Sequence, residues 1–237
     1  MQLPLFYIPD YKNEAELILD EVNSRHVIQV LRKGVGDLIQ LTDGKGSIFT
    51  AEISADHKKH CTVAIREVKQ ISKPVRNISI AISLLKNANR FEWFLEKATE
   101  LGVSNIIPIL SHRTEKERFR HDRMHQILIS ALLQSQQAWL PVLHQPITLE
   151  LLFLQEEVVA SPQKFIAHCE EQERTALIRA YDPTKKDALI LIGPEGDFTS
   201  TEITLALKNN FSPVTLGDTR LRSETAGVVA ATLLCLV

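Results

Sequence analysis

From residue 78 to the C-terminus, short apolar runs alternate with stretches of helical periodicity, and this alternation restricts the fold more than any other feature of the chain. Strand-length runs stand at 78–85, 105–110, 164–169, 187–192 and 213–216. Between them, 91–101 places Phe91, Phe94, Leu95, Ala98 and Leu101 on one helical face, and Gly102 is suited to end that helix. Residues 121–138 repeat the pattern with Met124, Ile127, Leu128, Ala131 and Leu132. The helix predicted over 199–209 opens with Thr199 and Glu202 at capping-box spacing. A last helix covers 223–237, with Ser223 as its N-cap. Strand and helix in alternation predict an α/β domain: a mostly parallel sheet covered by helices.

The first seventy residues follow a different pattern. A helical stretch at 14–20 and a short apolar piece at 26–31 precede strands at 37–41, 48–53 and 61–68. The first two strands are joined by Asp43-Gly44-Lys45-Gly46, a glycine-rich turn. Short strands with such turns predict a small β-barrel. Ser72, Lys73 and Pro74 lie in a linker at 70–77, which divides the chain into domains 1–72 and 73–237.

Composition excludes several classes. With 44% hydrophobic residues and a net charge of −2, the chain is not intrinsically disordered. No apolar run approaches the ~20 residues of a membrane span, and Pro4, Pro9 and Asp10 interrupt any signal-peptide pattern. Cys61, Cys169 and Cys235 are scattered and odd in number, which fits a reducing cytoplasm. A pI near 6.5 is no global nucleic-acid signature, so an RNA partner requires local basic patches.

Ligands of open α/β sheets bind beyond the carboxyl ends of the strands. Two of those ends are glycine turns. One reads Gly193-Pro194-Glu195-Gly196-Asp197-Phe198; the other runs from Leu216-Gly217 through Asp218-Thr219-Arg220-Leu221-Arg222 into Ser223-Glu224-Thr225-Ala226. Glycine lets backbone approach a ligand closely. Either turn alone is more often structural, but on neighbouring strands the pair lines one pocket. The chain has no Gly-x-Gly-x-x-Gly fingerprint, no P-loop and no Gly-x-Ser-x-Gly elbow. His121 and His125 have metal-ligand spacing, and His57, His60 and Cys61 cluster, but neither group has a further ligand, so no metal site is expected. Trp93 and Trp139 are expected to pack, and Lys97 with Glu100 to form a helix ion pair.

Together, Gly193-Pro194-Glu195-Gly196 and Leu216-Gly217-x-x-Arg220-Leu221-Arg222-x-Glu224-Thr225-Ala226 resemble the two C-terminal motifs of SPOUT-type RNA methyltransferases. Within that superfamily the chain is most similar to the RsmE group, which methylates uridine N3 of small-subunit (16S) ribosomal RNA. Collinear matches extend the resemblance over nearly the whole chain: His26-x-x-x-Val30-Leu31-Arg32, Asp43–Gly46, Glu96–Val103, Pro108-x-x-Ser111-x-Arg113 and Gln134-Ser135. The chain departs from the group's usual residues at Leu133, Gln136 and Gln137, at Asn87-Ala88-Asn89-Arg90, and at Asp197, where a second glycine is common.

The resemblance implies a PUA-like, RNA-binding barrel followed by a SPOUT methyltransferase domain whose C-terminal segment forms a deep trefoil knot. It implies a homodimer that uses S-adenosylmethionine. Its cofactor residues would be Leu191, Gly193, Pro194, Glu195, Gly196, Leu216, Gly217, Leu221, Arg222, Thr225 and Ala226. Uracil N3 carries a proton and is a poor nucleophile until that proton leaves. Arg222 is therefore expected to stabilise the uracil anion through a carbonyl oxygen, and Glu224 to accept a proton or hold Arg222. Basic residues for phosphate contact are Arg25, Arg32, Lys33, Lys86, Arg90, Arg113, Lys116, Arg118, Arg120 and Arg123, with Arg32 and Arg113 favoured because they fall inside matching motifs. Arg25, Arg32, Arg113, Gln134 and Ser135 form the expected RNA-binding set. Two other readings use the same chain: a SPOUT enzyme with another RNA target, such as a ribose 2′-hydroxyl, and a catalytically silent RNA-binding factor.

Overall fold

The computed structural model describes residues 3–115, 118–170 and 173–236, in two compact units. The first comprises the described residues up to Lys73 together with Leu132–Leu140. It holds β1 (Leu5–Tyr7), β2 (Glu16–Ile18), α1 (Glu21–Arg25), a π turn (His26–Val30), β3 (Leu38–Thr42), β4 (Ser47–Ala55) and β5 (Thr62–Gln70). The strands form one sheet in the order β1-β3-β4-β5-β2, with β1 parallel to β3 and the other pairs antiparallel. Strict alternation along β4 turns Phe49, Ala51 and Ile53 into a core shared with Phe6, Val27, Ile39, Leu41 and Val63. Asp43 shapes the glycine turn: its carboxylate accepts the Lys45 and Ser47 N–H groups at 2.7 and 3.0 Å. Trp139 packs on that turn and donates Nε1–H to the Ile71 carbonyl at 3.0 Å.

The stretch expected as a helix over 14–20 holds no helix, and its middle is the strand β2. Leu17 and Leu19 turn inward and Ile18 outward, which is a period of two. The segment pairs with β5, reinforced by Leu19 N–H donating to the Cys61 carbonyl at 2.9 Å. The helix begins only after Asp20, whose carboxylate accepts the Asn23 N–H at 2.7 Å.

The second unit comprises the described residues of Pro74–Ala131 and Pro141–Val237. It begins with β6 (Asn77–Ser83), α2 (Ala88–Glu100), β7 (Asn105–Leu110) and α3 (His121–Gln134), the last residues of α3 belonging to the first unit. Then come β8 (Val142–Leu143), β9 (Ile147–Thr148), α4 (Leu149–Leu152), α5 (Glu156–Ala160), β10 (Lys164–Ala167), β11 (Thr175–Ala176) and α6 (Leu177–Ala180). The chain ends with β12 (Asp187–Ile192), α7 (Ser200–Lys208), β13 (Ser212–Thr215) and α8 (Ser223–Leu236). The sheet runs β11-β13-β10-β12-β6-β7-β8, with β9 also on β7, and every pairing is parallel, as the alternation predicts. Leu189, Leu191, Ile166, Phe198 and Ile203 are among the residues that fill one core; α2 and α8 pack together, α8 also on β6 and β12.

Helix ends explain two boundaries. Gly102 stands at φ +85°, and the Gly102 and Val103 N–H groups donate to Thr99 and Ala98, a Schellman end for α2. The helix expected over 121–138 stops at Gln134 through the same pattern: Gln136 is at φ +56°, and Gln136 and Gln137 donate to Leu133 and Leu132. With no glycine there, the stop carries no sequence signal. Ser223 is the first helical residue of α8, not its cap, and Val237 lies outside the described residues.

Candidate active site

Three strand ends meet at one level. Ala167 of β10 pairs with Ile192 of β12 on one side and with Val214 of β13 on the other. The two glycine turns are therefore not on neighbouring strands, as expected from the sequence; β10 stands between them. The sheet order corrects that expectation while keeping its consequence, since both turns line one cleft of about 480 Å³, ample for a small-molecule ligand. The end of β10 supplies Ala167, His168 and Cys169, with Arg174 beyond it. Ile192–Glu195 and Asp197 come from the β12 turn, and Val214–Ser223 with Ala226 from β13 and the start of α8.

The β12 turn is held from several sides. Asp197 N–H donates to the Pro194 carbonyl at 3.0 Å, and Asp197 itself stands at φ +66°. That left-handed backbone is one that glycine adopts freely, and Asp is among the other side chains that tolerate it. The Asp197 carboxylate adds what glycine lacks: Oδ2 accepts the Cys169 N–H at 2.7 Å and Oδ1 its own neighbour's, Phe198, at 2.8 Å. It thereby ties the β12 turn to the end of β10. Gly193 is buried, and a Cβ there would sit 3.2 Å from the Phe198 ring and amide. Beyond the turn, Thr199 and Glu202 form the predicted capping box of α7, and Glu202 also accepts the His112 N–H at 2.7 Å.

Of the residues assigned to cofactor binding, Gly193, Pro194, Glu195, Leu216, Gly217, Leu221, Arg222 and Ala226 line the cleft. Leu191 is one step inside the sheet and fully buried in the core. Gly196 lies at the edge of the turn, where its carbonyl accepts Arg113 Nη1–H at 2.6 Å. Thr225, in the first turn of α8, is outside the lining. Glu224 is also outside it and does not hold Arg222: it is buried, with Oε1 3.6 Å from Arg90 Nε and Oε2 without a partner among the described residues. Arg222 is exposed on the cleft wall.

The sequence reading left out the β10 end. Ala167, His168, Cys169 and Arg174 enter the site because β10 is flanked by β12 and β13, although the strand-end rule already pointed there. Burial, helped by Arg174, pushes the His168 imidazole below its ordinary pKa against Asp197 and Glu170. Burial and Asp197 push the Cys169 thiol up.

The basic residues expected at RNA are differently engaged. Arg113 is exposed and lies along Gly196. Arg25 pairs with Glu21 at 2.7 Å, while Arg32 is exposed at φ +54° and makes no ion pair among the described residues. Gln134 is exposed at the end of α3, and the half-buried Ser135 donates to the Leu132 carbonyl at 3.3 Å. Lys86 pairs with Glu115 and Arg123 with Glu92. Lys116 lies outside the described residues. Lys97 binds Glu100 at 2.9 Å, the predicted helix pair, and Glu96 at 2.7 Å. His121 Nε2 lies 3.0 Å from the Leu143 carbonyl. No group of three or more His, Cys, Asp or Glu side chains among the described residues is arranged for a metal ion, and no helix among them is long and apolar enough to cross a membrane.

Comparison with known proteins agrees with this geometry. Residues 72–235 match the model of the RNA methyltransferase domain, and residues 19–66 that of the RNA methyltransferase PUA domain. The chain is 30% identical to ribosomal RNA small subunit methyltransferase E of Synechocystis sp., over 97% of this chain and 76% of that one. Its fold is similar to the crystal structure of a probable rRNA-methyltransferase from Porphyromonas gingivalis, at 39% identity and a TM-score of 0.89 over 98% of both chains. It is similar also to ribosomal RNA small subunit methyltransferase E from Neisseria gonorrhoeae bound to S-adenosyl methionine, at 28% identity and a TM-score of 0.83 over 98% and 96% of the two chains. A parallel sheet with three adjacent strand ends converging on a glycine-rich cleft, and a PUA-like unit preceding it in the chain, place this chain in the RNA methyltransferase family of the ribosomal RNA small subunit methyltransferases E.

Proposed function

We propose that the chain is an S-adenosylmethionine-dependent enzyme that methylates N3 of uridine in small-subunit (16S) ribosomal RNA. The observation that carries this reading is the convergence of Gly193–Glu195, Leu216–Gly217 and Leu221–Arg222 on one cleft of about 480 Å³. The names of its relatives support the rRNA substrate, and the Neisseria gonorrhoeae relative's bound S-adenosyl methionine supports the cofactor.

The residues present suit that cofactor. Buried Ile192 and Val214 offer an apolar wall, Gly217 at φ +148° leaves backbone open to a ligand, and Asp218, Arg220 and Arg222 supply charge at the exposed side. S-adenosylmethionine, when bound, supplies an electrophilic methyl on a sulfonium. The chain's part is to hold the uracil in line and to stabilise charge as N3 loses its proton. Arg222, exposed on the cleft wall, donates to a uracil carbonyl oxygen and stabilises the anion. Glu224, buried beside Arg90, acts one step removed by anchoring the first turn of α8, which Arg222 immediately precedes. A stacked base must be extruded to reach such a cleft. Arg25, Arg32, Arg113, Gln134 and Ser135 form the RNA-contacting set, with the residues of 1–72 as the RNA-binding domain and 73–237 as the methyltransferase domain.

A SPOUT trefoil knot fits the path of the chain: after β13, α8 returns to pack on β6, β12 and α2. The working enzyme is a homodimer, and its three free cysteines suit the reducing cytoplasm. The test uses labelled S-adenosylmethionine and small subunits from a strain lacking the enzyme, with the product nucleoside identified by mass spectrometry. N3-methyluridine is expected. A 2′-O-methylated nucleoside assigns a different target, and failure to bind the cofactor leaves an RNA-binding factor.

A further inference from the structure

His168 presents a problem that the fold alone does not solve. It is 4% exposed, and neither ring nitrogen has a hydrogen-bond partner among the described residues, yet the residue lines the cleft. An unpaired buried polar group destabilises the protein that carries it, and a ligand able to pair with it recovers that loss on binding. The surroundings indicate which part of a ligand comes here. His168 sits at the buried side of the cleft with Ile192 and Val214, whereas Asp218, Arg220 and Arg222 are exposed. A charged amino-acid moiety belongs with the exposed charges, and an aromatic base belongs with the apolar wall. Burial and Arg174 lower the imidazole pKa from its ordinary value, which favours the neutral ring, against the opposing Asp197 and Glu170. A neutral imidazole offers one donor and one acceptor, matching the mixed donor and acceptor edge of adenine.

We propose that His168 is a positioning residue of the cofactor site, whose imidazole hydrogen-bonds the adenosine part of S-adenosylmethionine. This rests on the cofactor reading above. The experiment is calorimetric titration of the full chain with S-adenosylmethionine and, separately, with 5′-methylthioadenosine, which keeps the nucleoside and lacks the amino acid. Wild type, His168→Phe, His168→Asn and His168→Gln are compared. His168→Phe is expected to raise Kd about tenfold for both ligands, with one of the two amide variants recovering part of the loss. The unliganded melting temperature of His168→Phe is expected to match or exceed that of wild type, because the variant no longer buries unpaired nitrogens. Equal affinities of wild type and His168→Phe overturn the proposal. So does a loss confined to S-adenosylmethionine, or one that neither amide variant recovers. If wild type itself binds neither ligand, the cofactor reading falls first and this proposal with it, so the two failures are distinguishable.

Discussion

Asp197 shows how much one side chain can hold together. Its backbone is left-handed, a conformation that costs most non-glycine residues roughly 1–2 kcal/mol. Its carboxylate offsets that cost by accepting two N–H groups, one of them from Cys169 across the cleft wall. Asp197→Ala keeps the unfavourable backbone and loses both acceptors, so urea denaturation is expected to give a loss of about 1–3 kcal/mol. Asp197→Gly loses the acceptors but relieves the backbone, and is expected to retain about 1 kcal/mol more than the alanine variant. Equal stabilities would remove the backbone from this account. Arg222 makes the complementary prediction for chemistry. Arg222→Ala is expected to cut methylation about a hundredfold or more, far more than it weakens cofactor binding; equal losses in both would show that Arg222 serves binding alone. Both residues stand out in the sequence, Asp197 as a departure and Arg222 as a match, but the hydrogen bond from Cys169 to Asp197 spans 28 residues of chain and has no local signal.

At the scale of elements, α8 is decided by a glycine in its second turn. A Cβ at Gly227 would lie 2.6–2.7 Å from the Phe94 ring of α2 and 3.2 Å from Ile82 of β6. Alanine is the better helix former by roughly 1 kcal/mol, yet overpacking a fully buried ring costs about 1–3 kcal/mol. Gly227→Ala is therefore expected to lower the melting temperature, and a rise would mean that α2 and α8 are not so closely apposed. The α2–α3 pair depends on charge. Arg123 donates to both carboxylate oxygens of Glu92, at 2.6 and 2.9 Å, and this holds the Glu92 carboxyl below its ordinary pKa. A lowered acid stabilises the fold above the unfolded value, about 4.3, and that contribution disappears as pH falls through the folded value. Arg123→Ala is thus expected to be less stable than wild type at pH 7 and equal to it below the Glu92 range. A difference that persists at low pH would assign the effect to packing of the Arg123 stem. Helices with a strong apolar stripe, such as α2, could be read from the sequence, and so could the capping box of α7. The strand β2 could not, because three residues carry too short a pattern and the β5 partner lies some 45 residues away.

Over the whole molecule, the first unit takes in Leu132–Leu140, which a contiguous division at residue 72 leaves with the second. The reason is physical: Trp139 covers Gly46 and bonds the Ile71 carbonyl, contacts that no stretch of local sequence announces. RNA binding belongs to this scale as well. The net charge of −2 gives no overall attraction, so affinity depends on a few exposed cations. Arg32→Ala is expected to lower the slope of log affinity against log salt by about 0.7–0.9. Arg25→Ala is expected to change it less, since Arg25 already pairs with Glu21. An unchanged slope in Arg32→Ala would take Arg32 off the phosphate backbone. What the sequence by itself determined is local: the parallel α/β class, most strand and helix positions, and the glycine turns at 193–197 and 216–217. Each follows from backbone sterics and hydrophobic period, which act over a few residues. Only the tertiary structure decided that β10 lies between β12 and β13, that His168 and Cys169 enter the site, and that Glu224 faces Arg90 and not Arg222. Strand order and side-chain partners come from packing between segments far apart in the chain, and that competition leaves no period to read.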